Sequence, residues 1–104
     1  KDRGPRPKGL ILAALGACTG MDVISILKKM REPITWFNMK LSGEVAEEHP
    51  KKFTSFKIIY QFKKSDGLKP ENVHKAVELS QTKYCGVSAT LKDGHEVAWE
   101  IEYI

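Results

Sequence analysis

"LGACTGMDVISILKKMR", residues 15–31, decides how the chain is read. The segment is almost wholly apolar up to Lys28, yet Cys18 and Asp22 stand one helical turn apart within it, flanked by Gly16 and Gly20. Extended back to Lys8, it predicts a helix over about 8–30. Pro5 and Pro7 stand where a first-turn proline costs no hydrogen bond. Lys28, Lys29 and Arg31 lie where cations suit the helix dipole, and Pro33 stops the helix. Leu10, Leu12, Leu15, Met21, Val23, Ile24 and Leu27 place apolar surface on every side of it. A helix apolar all round has to be covered all round. One sheet covers one face, so a second copy of the chain is expected on the other.

The rest of the chain supplies that sheet. Residues 34–46 alternate, with Phe37, Met39, Leu41 and Val45 on one side and Asn38, Lys40, Ser42 and Glu44 on the other. Residues 53–63 repeat the pattern, with Phe56, Ile58, Tyr60 and Phe62 inward. Both read as strands with one wet face, joined as a hairpin by the turn "EEHPKK". After the turn "SDG", Pro70 opens a helix to about residue 83, with Val73, Ala76, Val77 and Ser80 along one side. "CGVSATL" reads as a further short helix, and "VAWEIEYI" as a last strand with Val97, Trp99, Ile101 and Tyr103 on one face. The expected fold is α+β, an antiparallel sheet packed on a long central helix.

Bulk composition narrows the function classes. With 104 residues the chain holds one domain and one modest core. Apolar residues at 41% and charged residues at 29% are ordinary for a globular protein. A net charge of +4 is a mild basic excess. Glutamates interleave with Lys51, Lys52, Lys57, Lys63 and Lys64, and nucleic-acid motifs are missing, so nucleic-acid binding is not expected. The uninterrupted apolar run ends at Asp22 after about a dozen residues, short of a bilayer span. No membrane role is expected, and the expected compartment is the cytoplasm, where thiols stay reduced unless they cycle. The opening "KDRGPRPKG" is polar and Pro/Gly-rich and reads as a linker.

Few residues carry chemistry. A free cysteine in an apolar helix commonly serves as a small buried hydrophobe, and that reading stands for Cys18. Burial and a nearby carboxylate both raise a thiol pKa. A reactive Cys18 therefore needs a cation beside it, from Arg3, Arg6 or a partner chain, because the helix N-terminus lies about 15 Å away. Asp22, at i+4, is either a structurally satisfied carboxylate or the anchor for that cation. Gly16 and Gly20 form a G-x-x-x-G, which points to close packing against another backbone. Cys85 opens the "CGVSATL" helix, whose dipole is expected to lower its pKa; a core role stays open beside that reading. Glu47 and Glu48 beside His49 are either a solvated turn or a turn reaching an interface. His49, His74 and His95 lack metal-ligand spacing, and phosphate-cradling loops are missing, so neither metal nor cofactor is expected. Trp36 and Trp99 read as core or interface aromatics.

Taken together, "GPRPKGLILAALGACTGMDVISILKKMR", "EEHPKKFTSFKIIYQF" and "AVELSQTKYCGVSATL" resemble the OsmC/Ohr family, the osmotically inducible and organic hydroperoxide resistance proteins, and its OsmC-like branch in particular. The resemblance runs over essentially the whole chain, and one domain over residues 1–104, without the family's N-terminal strands, is expected. It implies an intertwined homodimer with long helices at its centre. It implies a peroxidatic thiol at Cys18, a resolving thiol at Cys85, an organic hydroperoxide as substrate and an external dithiol as reductant, while Asp22 and Glu48 stand as supporting candidates from the residue reading alone. Two departures stand out. Lys8 and Gly9 follow Pro7 where family members carry a glutamate, and the arginine that this glutamate pairs with belongs to the strands not found here. The alternative implied is a non-enzymatic dimeric binding or structural protein with a degenerate site.

Overall fold

In the computed structural model, which describes residues 7–47, 53–92 and 96–104, the long helix is α1, Pro7–Lys29. Its inward stripe of Leu15, Thr19, Val23 and Leu27 is fully buried. The helix ends in a Schellman motif: the Glu32 N–H donates to Leu27 O and the Arg31 N–H to Lys28 O. Arg31 holds the left-handed position at φ 62°, which favours glycine. The helix closes at Lys29, four residues before the proline that the sequence reading took as its stop.

Strands β1 (Phe37–Val45) and β2 (Phe53–Phe62) pair antiparallel, Phe37 opposite Phe62 and Leu41 opposite Ile58, as the alternation predicts. Phe56, Ile58, Tyr60 and Phe62 are buried. Val45 departs from its expected inward position: a bulge between Glu44 and Val45 shifts the register and leaves it exposed. A 3-10 turn, Lys64–Asp66, leads to α2, Pro70–Leu79, which buries Val73, Ala76 and Val77 as expected. The last turn of the expected helix is wider, a π-turn over Ser80–Tyr84. Helix α3, Gly86–Lys92, and strand β3, Glu96–Tyr103, complete the chain.

The sheet is mixed rather than antiparallel. Its order is β1-β2-β3, and β3 runs parallel to β2, Phe56 opposite Val97 and Phe62 opposite Tyr103. Alternation assigns a strand's faces but not its direction. The direction follows from the connection: α2, the π-turn and α3 carry the chain back across the sheet, the crossover that parallel pairing needs. The outer face carries a cross-strand ladder that buries Gln61, Asn38 Nδ2 to Gln61 Oε1 at 2.9 Å and Gln61 Nε2 to Glu102 Oε1 at 2.6 Å. Lys57 pairs with Glu100 at 2.6 Å beside it.

The molecule measures 46 × 31 × 17 Å, the depth of one sheet and one helix layer. The outer face of α1 is therefore uncovered in a single chain: Leu10, Ile11 and Met21 are 52%, 40% and 74% exposed. Gly16 and Gly20 do not face another backbone. A Cβ on Gly16 would stand 2.9 Å from Leu41 Cδ1, and one on Gly20 3.0 Å from Met39 Sδ, so both glycines admit β1 side chains over the helix axis. Gly9–Lys29 is long and apolar enough to cross a membrane by length and composition, because the helix continues past the Asp22 that ends the apolar run. A core helix meets the same criterion, and this one buries the stripe Leu15, Thr19, Val23 and Leu27 against the rest of the fold.

Candidate functional site

Cys18 and Asp22 leave α1 on one face, one turn apart, and both are half-buried. Cys85 reaches them from across the fold. The π-turn is closed by the Cys85 N–H donating to Ser80 O at 2.8 Å, which sets the residue at the mouth of α3. There the Ala89 N–H donates to Cys85 O at 3.1 Å, and the Ser88 N–H to Cys85 Sγ at 3.4 Å. Cys85 thus caps α3 with its sulfur. The two sulfurs and an Asp22 carboxylate oxygen all lie within 4.8 Å of one another. Closing under about 3 Å would bring the sulfurs to disulfide length.

A buried polar network stands directly behind this cluster. Thr19 Oγ1 is 2.6 Å from Tyr60 Oη and 2.7 Å from Ser80 Oγ. Gln81 Nε2 donates to Tyr60 Oη at 2.8 Å and to Thr19 Oγ1 at 3.3 Å. Ser80 Oγ donates to Asp22 Oδ2 at 3.2 Å. A carboxylate only accepts, so the Ser80 proton points to Asp22, the Thr19 proton to Ser80 and the Tyr60 proton to Thr19. The network is a directed chain from Tyr60 to Asp22. Lys92 Nζ ties down its Gln81 end by donating to that residue's backbone oxygen at 2.8 Å.

Burial raises the Cys85 thiol above its ordinary pKa, and a hydrogen bond to Cys18 adds to the rise; the Ser88 contacts oppose it only in part. This corrects the expectation of a dipole-lowered Cys85. Helix α3 has only seven residues, and the sulfur at its mouth is 3% exposed, so desolvation outweighs the dipole. The Tyr60 phenol is also raised, first by burial, against the hydrogen bonds from Thr19 and Gln81, with Cys85 and Asp22 adding negative charge nearby. At neutral pH it is a protonated donor.

Two grooves are lined by residues next to the cluster in the chain or belonging to it. One of about 280 Å³, lined by Ile11, Ala14, Gly86, Val87, Thr90 and Leu91, is almost wholly apolar and continues the Cys18 row of α1 by one and two turns. The other, about 550 Å³, opens beside Asp22, Ser25, Lys29 and Leu79. A third, about 780 Å³, lies between the uncovered side of α1 and β1, along Ala17, Gly20, Met21, Ile24 and Met39.

The structure therefore brings together Cys18, Cys85 and Asp22. Glu48 and His49 lie outside the described residues, as do His95 and the two candidate cation sources, Arg3 and Arg6. His74 is exposed, as expected, and its ring meets that of Trp99 at 5.4 Å between centroids, tilted by 55°. Trp36 is 41% exposed and lines the edge beside Ile104. The sequence reading passed over Thr19 and Gln81, and treated Tyr60 and Ser80 as core only. Their one signal is polarity at positions that the helical and strand periods assign to the interior.

Comparisons with known proteins give the family and the fold. Residues 1–100 match the family model for OsmC-like proteins. The Escherichia coli K12 protein YhfA is 35% identical over 103 residues, covering 99% of this chain and 76% of that protein. The crystal structure of a hypothetical protein from Aquifex aeolicus VF5 superposes with a TM-score of 0.84 at 33% identity, covering 99% of this chain and 78% of the other. The organic hydroperoxide resistance protein OhrB of Bacillus subtilis shares the fold at 17% identity, with a TM-score of 0.73 over 96% of this chain and 72% of its own. On the family match and these relatives, the chain belongs to the OsmC-like protein family.

Proposed function

We propose that the protein is a thiol-dependent peroxidase that reduces organic hydroperoxides through a two-cysteine cycle. One observation carries the reading: residues 18 and 85, distant in sequence, hold their sulfurs within 4.8 Å of each other. The Cys18 thiolate attacks the outer oxygen of the O–O bond. The bond breaks, the alkoxide takes a proton and leaves as alcohol, and Cys18 becomes a sulfenic acid. The Cys85 thiol then condenses with it, forming the S–S bond and releasing water. An external dithiol reduces the disulfide and restores both thiols. The raised Cys85 thiol suits the resolving role, since it keeps its proton while Cys18 reacts. The apolar groove along Ile11, Ala14 and Val87 suits an alkyl group on the peroxide, and the redox reading accords with the hydroperoxide resistance that names OhrB.

The active assembly is a homodimer in the cytoplasm. Its support is the uncovered apolar face of α1, with Leu10, Ile11 and Met21 exposed. The partner, or the Arg3–Arg6 segment, supplies the cation that Cys18 needs.

The test is a thiol count on the reduced protein before and after one equivalent of cumene hydroperoxide. The expected result is the loss of both thiols to one intramolecular disulfide, and a dimedone-reactive sulfenic acid at Cys18 in Cys85→Ser. An unchanged count refutes the reading. Equal turnover by the native chain and Cys18→Ser would instead assign the protein to the non-enzymatic alternative that Lys8 and Gly9 suggest.

A further inference from the structure

We infer that the reduced site is also a binding site for a soft divalent cation of the zinc class, held by Cys18 Sγ, Asp22 carboxylate oxygen and Cys85 Sγ. The inference stands on the geometry of these three groups and holds whether or not the thiol pair reduces peroxides. It departs from the expectation of no metal, which rested on histidine spacing. The ligands here are two thiols and a carboxylate that only the fold assembles.

Three observations carry it. First, the three ligand atoms lie within 4.8 Å of one another. Tetrahedral zinc, with bonds of about 2.0–2.3 Å, sets its ligands about 3.5–3.8 Å apart. A contraction of about 1 Å, within reach of side-chain rotation, makes the site. Second, Cys18 and Asp22 come from one face of a long helix at i and i+4. This is the spacing by which a single helix offers two ligands to one ion. Cys85 is fixed at the mouth of another helix. Third, the outer contacts of a metal site are present. Ser80 Oγ donates to Asp22 Oδ2 at 3.2 Å, which orients the carboxylate and leaves its other oxygen free for an ion. The Ser88 N–H donates to Cys85 Sγ at 3.4 Å and stabilises sulfur bearing negative charge. Cys18 and Asp22 are half-exposed, so an ion has a path in and a fourth position open to water or an incoming ligand.

Binding exchanges protons for metal: the ion enters, two S–H bonds break, two metal–sulfur bonds form and two protons leave. Affinity therefore climbs with pH. A disulfide between the same sulfurs consumes both ligands, so metal and disulfide exclude each other. A bound ion would hold the thiol pair reduced and shielded.

The experiment uses the full chain, reduced and chelator-stripped. Co2+ is titrated while sulfur-to-cobalt charge-transfer and tetrahedral d–d absorption are followed, and Zn2+ affinity is then read by competition with a chromophoric chelator. One Co2+ per chain is expected, with both band systems, displaced by Zn2+. The charge-transfer band is lost on oxidation with diamide and sharply reduced in Cys18→Ser and Cys85→Ser. Asp22→Asn weakens Zn2+ by at least tenfold. Ser80→Ala, which touches no metal, weakens it by about tenfold. Far-UV circular dichroism confirms that each variant is folded. No charge-transfer band in the native chain overturns the inference. So does binding that survives diamide, or an Asp22→Asn affinity equal to native. Because no peroxide is used, these outcomes are independent of the thiol count that tests the peroxidase reading.

Discussion

Removing one hydroxyl, by Thr19→Val, should destabilise the protein by about 2 kcal/mol. Valine keeps the shape and β-branching of threonine and differs little in helix propensity, so the change isolates the hydroxyl. Thr19 is fully buried, and its oxygen meets Tyr60 at 2.6 Å, Ser80 at 2.7 Å and Gln81 at 3.3 Å. The directed chain tells which partners suffer. Gln81 keeps its bond to Tyr60, and Ser80 keeps Asp22, but the Tyr60 proton is left buried with no acceptor. An orphaned buried donor costs about 1–3 kcal/mol, and the lost bond to Ser80 about 1; the desolvation no longer needed at residue 19 returns part of this. In a chain of this size each kcal/mol moves the thermal midpoint by about 4–8 °C, so a fall of about 8–16 °C is expected.

The assay is urea and thermal unfolding of reduced protein by far-UV circular dichroism, at one protein concentration because any self-association would shift the midpoint. Tyr60→Phe and the double variant complete a cycle. Once Thr19 is valine the phenol proton is already orphaned, so deleting it costs much less than in the native background, and a coupling of about 1 kcal/mol or more is expected. A single-variant loss under about 0.5 kcal/mol, or strict additivity, refutes the directed network.

Arg31→Gly should stabilise the chain by about 0.5–1 kcal/mol, because it relieves a side chain held at positive φ at the end of α1; a lower urea midpoint would contradict this. The Glu32 carboxyl is held below its ordinary value by the Lys69 N–H and Asn72, and Asp66 by the Thr35 hydroxyl and N–H. Lowered folded-state values give stability that is present above the ordinary carboxylate range and lost as pH falls through the lowered folded value, so Glu32→Gln should lower the midpoint at neutral pH and flatten the acid limb of the midpoint-against-pH curve, the gap to the native chain closing below about pH 5. Iodoacetamide should alkylate half-exposed Cys18 well before Cys85, whose thiol is buried and raised; peptide mapping that finds Cys85 modified first would oppose the assignment of roles. Met21→Lys, on the exposed side of α1, should convert a dimer to a folded monomer by light scattering, and an unchanged mass would remove that face from the interface.

Sequence alone defines β2 and the inward row Val97, Trp99, Ile101 and Tyr103 because each rests on local periodicity that burial then obeys, and α1 because a long apolar run stands between prolines and terminal cations. What it misses depends on partners. Alternation in β3 says which face is inside and nothing about strand direction; only the two-helix crossover indicates the parallel pairing. Thr19, Ser80 and Gln81 each look like minor faults in an apolar pattern. They become a network when residues 61 and 62 positions apart meet around one tyrosine. The dipole argument at Cys85 failed differently. It identified a real local feature, the helix mouth, but burial is a property of the whole fold and outweighed it.

The same network explains why two sulfurs from opposite parts of the chain meet where they do. Successive α1 residues point about 100° apart, so Thr19 turns inward while its neighbour Cys18 turns toward α3. Thr19 grips Ser80, the first residue of the π-turn, and the last bond of that turn is made by the Cys85 N–H to Ser80 O. One side chain of α1 therefore fixes the start of the segment whose end carries the second sulfur, and the extra residue in the wider turn sets how far Cys85 advances toward Cys18. Asp22 closes the circuit, since it receives the hydrogen-bond chain through Ser80 and stands within reach of both sulfurs. The hydrogen bonds run on from Asp22 through Ser80 and Thr19 to Tyr60 in the sheet. Chemistry at the cluster is thus coupled mechanically to the core that holds it, and loosening Thr19 should separate the sulfurs as well as lower stability.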